Sequence, residues 1–559
     1  MFGWFFRLFN RGFDLTNRWY TKSLHYVVRY AVIALIVYAG MDYLAYGMFK
    51  IVPTGFIPTQ DQGYLLVNVQ MPDASSIERT DAVITQLSNL ALKTKGIQDA
   101  FAVSGFSILT RSNSSAAGLL FLRLKPFSQR SGVTGMRADA IANRLGQQFS
   151  KVEGGQAVVL LPPAVRGIGN AGGFTIQVED RSGSATPQQL QAATQHLIDA
   201  ARSRPELSRL FSTFRASVPQ IYVNVDRVKA KKQNVQVTDV FQTLQVYLGG
   251  FYINDFNYLG RTWHVMAQAD APFRATAAQV ALLKTRNAAG QMVPLGAISE
   301  LKDIVGPDRI QRYDLYSSAD IIGASATGYS SSQALAAMEG VANSELPKQY
   351  SYEWTDLAFQ EKAASGLAFL VFPLCILFVW LTHSAEYESF ALSTAIILIV
   401  PMCLLCGITA VWTRHMDNNI FTQVGFVVLA GMSVKNAVLI VEFAKQQQEH
   451  HRGMKAADAA IEAARLRLRP ILMTSFAFIF GVIPLIIATG AGAEMRQALG
   501  TVVFFGMLGV TFFGVFLTPV FYTMIRHLIG DRPVPAERTV RSILTTVGDD
   551  RAAVGSGHQ

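Results

Sequence analysis

Residues Val424–Lys445 read VGFVVLAGMSVKNAVLIVEFAK. The run is long and apolar enough to cross a bilayer, whose hydrocarbon core takes about 20 residues of helix. Near its middle stands Lys435, with Asn436 beside it and Ser433 just before. An ammonium at that depth costs roughly 2.5–3.5 kcal/mol on insertion scales, so it demands a counter-ion or a water-filled path. At helical spacing Gly431 and Glu442 share its face, and the small Gly431 lets another helix come close. Thr474 and Ser475, early in the next apolar run, are candidates to line the same route. Alone, their hydroxyls are as well explained by bonds to their own helix. A lysine snorkelling to the interface is the competing reading of Lys435, and its central position argues against it.

The composition agrees with a membrane class. At 559 residues the chain is 50% hydrophobic with 36 Phe, more apolar than a soluble protein of that length. The net charge of +10 invites a nucleic-acid reading, but its placement excludes one. Arg7, Arg11, Arg18, Lys22 and Arg29 precede the first apolar run. Lys445, Arg452, Lys455, Arg465, Arg467 and Arg469 lie between the fourth and fifth, and Arg526, Arg532, Arg538 and Arg541 follow the last. The short loops on the other side hold only Arg414 and Arg496, which is positive-inside asymmetry. The cysteines Cys375, Cys403 and Cys406 all lie in apolar runs, so the polar region has no disulfide framework. The Cys403-x-x-Cys406 spacing lacks a redox context and reads as small buried residues.

In chain order, 1–28 is aromatic and basic and suits an amphipathic helix on the cytoplasmic face. A first span at 29–50 follows, carrying Asp42. From 53 to 358 the composition is that of a water-exposed α+β region on the opposite side. The pattern predicts strand Tyr64–Met71, a helix capped by Ser75 with Glu78, strand Ile97–Ser104, a polar loop Gly105–Ala117, strand Gly118–Leu124, helix Thr134–Phe149 and strand Gln156–Leu161. That β-α-β-β-α-β order is the ferredoxin-like motif, filling 53–163. A second copy is expected at 164–225 and 313–358, with strands Phe174–Val178, Leu207–Arg215 and Gln220–Val225 before an insertion at 226–312. Helix Ser331–Ser344 and strand Tyr350–Trp354 would complete it. Five further spans occupy 365–525, with a short interfacial helix near 454–468 ending at Pro470 and a polar tail at 526–559. The fold class is therefore an α-helical membrane protein of six spans with two α+β modules and an inserted subdomain.

The acid census is unusual. The interiors of spans two, three, five and six contain no Asp or Glu, and Glu442 lies nearly two turns from Lys435. Asp42 sits on the outer half of its span, too far up for easy contact. A carboxylate from another polypeptide is the expected partner. Phosphate-loop, zinc and nucleophile-triad signatures are absent. His25, His264, His383, His415 and the His450-His451 pair are scattered and read as surface residues, and no metal or cofactor is expected.

The segments GMSVKNAVLIVEFAK (431–445), RLRLRPILMTSFAFIFGVIPL (465–485), FIPTQDQGY (56–64) and GGFYINDF (249–256) resemble the carboxy-terminal half of a resistance-nodulation-division efflux transporter. The branch most resembled is the hydrophobe/amphiphile efflux pumps of Gram-negative inner membranes, and the resemblance covers nearly the whole chain. It implies a proton-driven antiporter of two pseudo-repeated halves, working as a trimer with a periplasmic adaptor and an outer-membrane channel. It implies that Lys435 pairs with aspartates of an amino-terminal half and that Thr474 and Arg467 belong to the proton route, to which Asn436 is added as the hydrogen-bonding neighbour of Lys435. No cofactor beyond the proton-motive force is implied, and the partners are that half, the lipid bilayer and hydrophobic small molecules. The α+β modules would be porter subdomains and the insertion a docking subdomain. By the same resemblance Phe106, Ile108, Val158, Leu160 and Arg215 would border the substrate pocket, with Ile108, Val158 and Leu160 at positions where aromatic residues are common. Two other classes share parts of the layout. A Sec-translocon accessory protein would carry its own acid where this chain has Lys435, and an inactive or truncated transporter fragment would lack coupling.

Overall fold

The computed structural model describes residues 3–451 and 454–529. Among these, six helices are long and apolar enough to cross a membrane: Ala31–Ile51, Leu370–Tyr387, Phe390–Thr413, Ile420–His450, Ala456–Ile486 and Ala493–Ile529. The last is the hub, packing on the third, fourth and fifth. Glycines permit that packing. A Cβ on Gly506 would fall 2.2 Å from Leu429, and one on Gly509 2.3 Å from Cys406 Sγ, so only a bare backbone fits. The third helix breaks after Ile397 and restarts at Val400, with Pro401 in the new first turn where its missing N–H costs nothing.

Helix Gly3–Arg29 precedes the first span, separated by Tyr30. Its Tyr20, Leu24 and Val28 are buried against the fifth and sixth bilayer-length helices, and the Tyr20 hydroxyl donates to Val515 O at 2.6 Å. The side chains of Phe5, Phe6 and Phe9, Arg452, and all of 530–559 lie outside the described residues. Residues 454–468 are not a separate helix. Ala456–Ile486 continues through Pro470, because one proline removes a single interior bond and the surrounding packing holds the rest.

The polar region contains two sheets of the same design. In the first, strands Tyr64–Gln70, Ile97–Ser107, Ser112–Leu124 and Gln156–Leu160 stand in the order second, third, first, fourth, all antiparallel. Leu65, Val67, Val69 and Met71 alternate inward onto helices Ile77–Lys93 and Ala138–Phe149. The helix cap is Ser76, whose Oγ accepts from Arg79 N, while Ser75 turns back to donate to Pro72 O. The expected loop Gly105–Ala117 is mostly strand: the hairpin runs on to Ser107 and restarts at Ser112, past a bulge at the positive-φ Gly105.

The second sheet repeats the order with Phe174–Asp180, Leu207–Phe211, Tyr316–Ser325 and Tyr350–Thr355, covered by helices Pro187–Ala201 and Ser331–Glu345. Its third strand is therefore Tyr316–Ser325, not Gln220–Val225. Val218–Val225 pairs along its length with Ser299–Gly306, so it is one side of the insertion's stem. Beyond that stem the insertion has its own small core around Val240, Leu283 and Leu295, and projects an exposed hairpin, Phe251–Tyr258 with Arg261–Ala267.

Candidate functional site

Helix Ile420–His450 is capped by Asn419, whose Oδ1 accepts from Phe421 N and Thr422 N. One side is packed: Leu429, Ala430, Val434, Ala437 and Val441 are buried in the bundle core. The other side is open. Val424 (48% exposed), Val428 (41%), Gly431, Lys435 and Glu442 are exposed at helical spacing, forming one stripe. At Gly431 a Cβ would meet nothing within 4 Å. Among the described residues no carboxylate lies within 4.0 Å of Lys435 Nζ. Asp42 does not reach it; its Oδ1 is buried without a hydrogen-bond partner.

The other residues expected in the proton route divide. Asn436, 3% exposed, leaves the open stripe and donates from Nδ2 to Ser475 Oγ at 3.0 Å, tying the fourth helix to the fifth. Ser433 is buried beside it and donates to Ala430 O. Thr474 is exposed, and its hydroxyl returns to Ile471 O at 3.1 Å. Arg467 lays its guanidinium over the Phe443 ring at 4.4 Å, with its Nε unpaired. Lys435, Thr474 and Arg467 are thus not joined by direct bonds here.

The residues expected at a pocket do converge. Phe106, Ile108, Val158 and Leu160 gather with Leu66, Leu119, Phe211 and Ile322 in an apolar cluster between the two sheets. Val158 and Leu160 are alternate positions on the face of the first sheet opposite its helices, Phe106 follows the bulge at Gly105, and Ile108 lies in the turn beyond Ser107. Arg215 sits at the polar end of this cleft, donating to Met71 O at 3.2 Å and pairing with Asp73. Asp320 lies below it on the second sheet and accepts from Thr213 Oγ1 at 2.7 Å. Burial pushes the Asp320 carboxyl above the ordinary range, against the opposing pull of Thr213 and Arg309. Two acids escaped the sequence reading. Asp61, inside the quoted FIPTQDQGY, forms a buried pair with Arg130, and Glu361 is buried beside Ser331 and Ser332. The signal for Asp61 was a lone acid in an otherwise uncharged junction.

Among the described residues, six bilayer-length helices, one of them carrying Lys435 on an open stripe, accompany two α+β units of the same strand order. The chain belongs to the AcrB/AcrD/AcrF family, which matches residues 2–526. It is 36% identical over 532 residues to the toluene efflux pump membrane transporter TtgB of Pseudomonas putida, covering 95% of this chain and 50% of that protein. It is 35% identical over 531 residues to the multidrug export protein AcrF of Escherichia coli, covering 94% and 50%. The multidrug resistance protein MdtF of Escherichia coli is 34% identical over 529 residues, again covering 94% and 50%. The chain spans about half the length of these curated relatives. Family membership speaks against the protein-translocation alternative.

Proposed function

We propose that this chain is the carboxy-terminal half of a proton-driven efflux antiporter that exports hydrophobic or amphiphilic compounds from the inner membrane of a Gram-negative cell. The two same-order sheets are read as ferredoxin-like porter modules, and the insertion as the part that meets adaptor and channel. The six helices are read as its spans, with the α+β region in the periplasm. The observation that carries the proposal is the open stripe bearing Lys435 on a helix whose other side is fully packed. A bare ammonium facing lipid costs roughly 2.5–3.5 kcal/mol. A helix carrying carboxylates, seated against Gly431, removes that cost. An amino-terminal half supplies such a helix. Proton uptake by its acids releases Lys435, the two helices shift, and the cleft between the modules opens and closes on its cargo. The apolar cluster around Phe106 and Leu160 suits a hydrophobic body, and the polar end at Arg215 suits a polar head. A trimeric assembly is part of the same reading.

The test is Lys435→Met in cells that hold both halves. Export of a fluorescent lipophilic dye is expected to disappear while the protein level stays unchanged. Dye export at the parental rate would remove the relay. The chain reconstituted alone in liposomes is expected to exchange no protons for substrate, and robust exchange there would show that the acids lie within it.

A further inference from the structure

The segment between the first span and the first strand carries more bonds than a linker needs. Its start is stitched to the turn that launches the Lys435 helix. Asn418 N donates to Pro53 O at 2.9 Å, Gly55 N to Asn418 O at 3.3 Å, and Ile420 N to Phe56 O at 2.9 Å, with Thr54 and Asn418 forming a parallel bridge. Its end is locked into the first module. Arg130 donates to Asp61 through two nitrogens at 2.6 and 3.0 Å, and the same carboxylate accepts from Ala138 N at 3.0 Å, the first residue of a helix whose own N-cap residue offers no side-chain bond. Its middle reaches the second module. Phe56 N donates to Ser331 Oγ at 3.1 Å, at the start of helix Ser331–Glu345, and Ser331 passes its own proton to Glu361 at 3.1 Å. Gln62 Nε2 donates to Pro163 O at 2.9 Å, in the connection between the modules.

We propose that residues 53–63 are a coupling strap, joined at Gly55 to the turn before the Lys435 helix, through which displacement of that helix is delivered to both α+β modules. The proposal rests on the proton-relay reading for its purpose, not for its geometry. The joint is built from main-chain bonds, which do not rotate away as side chains do, and Asn418 and Asn419 are buried within it. It is also close-fitting. A Cβ on Gly55 would fall 2.0 Å from Asp417 Oδ2 and 2.9 Å from its Cγ. Gly55 is thus a positioning residue: an alanine there must displace the Asp417 carboxylate, whose Oδ1 accepts from Asn419 Nδ2 at 3.0 Å within the turn. Transmission is read as a response at the far ends of the strap.

The experiment is amide hydrogen exchange on the full chain in lipid nanodiscs. Gly55→Ala is expected to speed exchange about threefold or more both at 420–424 and at the remote helix starts 138–142 and 331–335. Adding Asp417→Ala removes the obstructing carboxylate and is expected to restore all three. Ser331→Ala, which introduces no clash, is expected to speed 331–335 and leave 138–142 unchanged. A Gly55→Ala response confined to 53–56 and 417–419, or one that Asp417→Ala does not reverse, overturns the strap. So does a Ser331→Ala response equal in both modules. Export in cells separates this from the relay. If Lys435→Met abolishes export while Gly55→Ala leaves it at the parental rate, the strap falls and the relay stands. If Lys435→Met exports normally, the relay falls and the exchange result alone decides the strap.

Discussion

Asp61→Asn isolates the most consequential charge pair in the polar region. The Arg130 side chain is 2% exposed and that of Asp61 9%, and they meet through two short bonds. Two further donors of Arg130 go to Lys125 O and Met136 O, and its Cζ lies 4.7 Å from the centroid of the Phe127 ring. An asparagine keeps the volume but removes the charge and turns one acceptor into a donor facing the guanidinium. Arg130 is then a buried cation without compensation, which costs about 3–5 kcal/mol. The surface pair Arg123–Asp99 in the same module, 60% and 57% exposed, is an internal control, and Asp99→Asn should cost less than about 1 kcal/mol. Replacing both buried partners, Asp61→Leu with Arg130→Met, should recover most of the loss, leaving mainly the missing cap at Ala138, about 1 kcal/mol. The assay is pulse proteolysis of the micellar chain across a urea series, following the fragment that holds residues 64–160. The reasoning is refuted if Asp61→Asn costs no more than Asp99→Asn, or if the double variant is no better than the single. Acid gives a second check. Burial alone would raise the Asp61 carboxyl, but Arg130 and the Gly63 and Ala138 amides outweigh it and hold it below the ordinary carboxylate range. A depressed acid contributes fully above its unfolded value of about 3.9 and is lost as pH falls through the folded value. The gap between parent and Asp61→Asn should therefore be flat near neutrality and close only in stronger acid.

Three further outcomes follow from local geometry. Gly173 has φ +114°, and a Cβ there would fall 2.1 Å from Gly323 O, a strand carbonyl that cannot swing aside; Gly173→Ala should cost about 3 kcal/mol or more from strain and overpacking together, read as a lowered urea midpoint. Ser330 forms a reciprocal capping box with Gln333 at the start of helix Ser331–Glu345, so Ser330→Ala should cost about 1 kcal/mol while Ser330→Gly costs a few tenths; equal losses would show that the cap bond is not the cause. Burial raises the Glu361 carboxyl despite bonds from Ser332 and Ser331. The folded state then holds that proton more tightly than the unfolded one, so its contribution is greatest in acid and is lost as pH rises from about 4.3 through the folded value. Glu361→Gln should flatten that slope in thermal melts, and an unchanged slope would assign it elsewhere.

How far sequence pattern reaches is visible in two strands. Tyr64–Gln70 alternates Leu65, Val67 and Val69 with Leu66, Asn68 and Gln70, and a period of two fixes which side meets the helices. Val218–Val225 alternates as well, yet period says nothing about the partner. It pairs with Ser299–Gly306, and the sheet position assigned to it belongs to Tyr316–Ser325, which returns after the insertion. Adjacent serines defeated the cap assignment for a similar reason: Ser75 and Ser76 have the same chemistry, and only the backbone path chooses Ser76. The residues expected at a pocket were named by resemblance; Val158 and Leu160 share a face because alternate strand positions must, while Phe106 and Ile108 reach the same cluster through the bulge and turn that follow Ser104. The pairings of Asp61 and Glu361 were illegible, since Arg130 and Ser331 lie 69 and 30 residues away and no local spacing links them.

Lys435 is the opposite case. Its cost was plain from one apolar run, and the structure adds direction to it. The packed side of its helix is filled by Leu429, Ala430 and Val434, so the proposed partner would approach along the open stripe of Val424, Val428 and Gly431. Asn436, its sequence neighbour, is spent on Ser475 and holds the fourth helix to the fifth. In the proposed relay, release of Lys435 would therefore not be absorbed by sliding of the fourth helix past the fifth unless that buried bond broke. The moving unit would include both helices, and among the described residues the turn at Asn418 and the segment beginning at Pro53 stitch its Asn419 end toward the modules. Charge at mid-helix and backbone bonds at its start are thus the two ends of the proposed lever, and Gly55 marks where it would be disconnected without touching the charge.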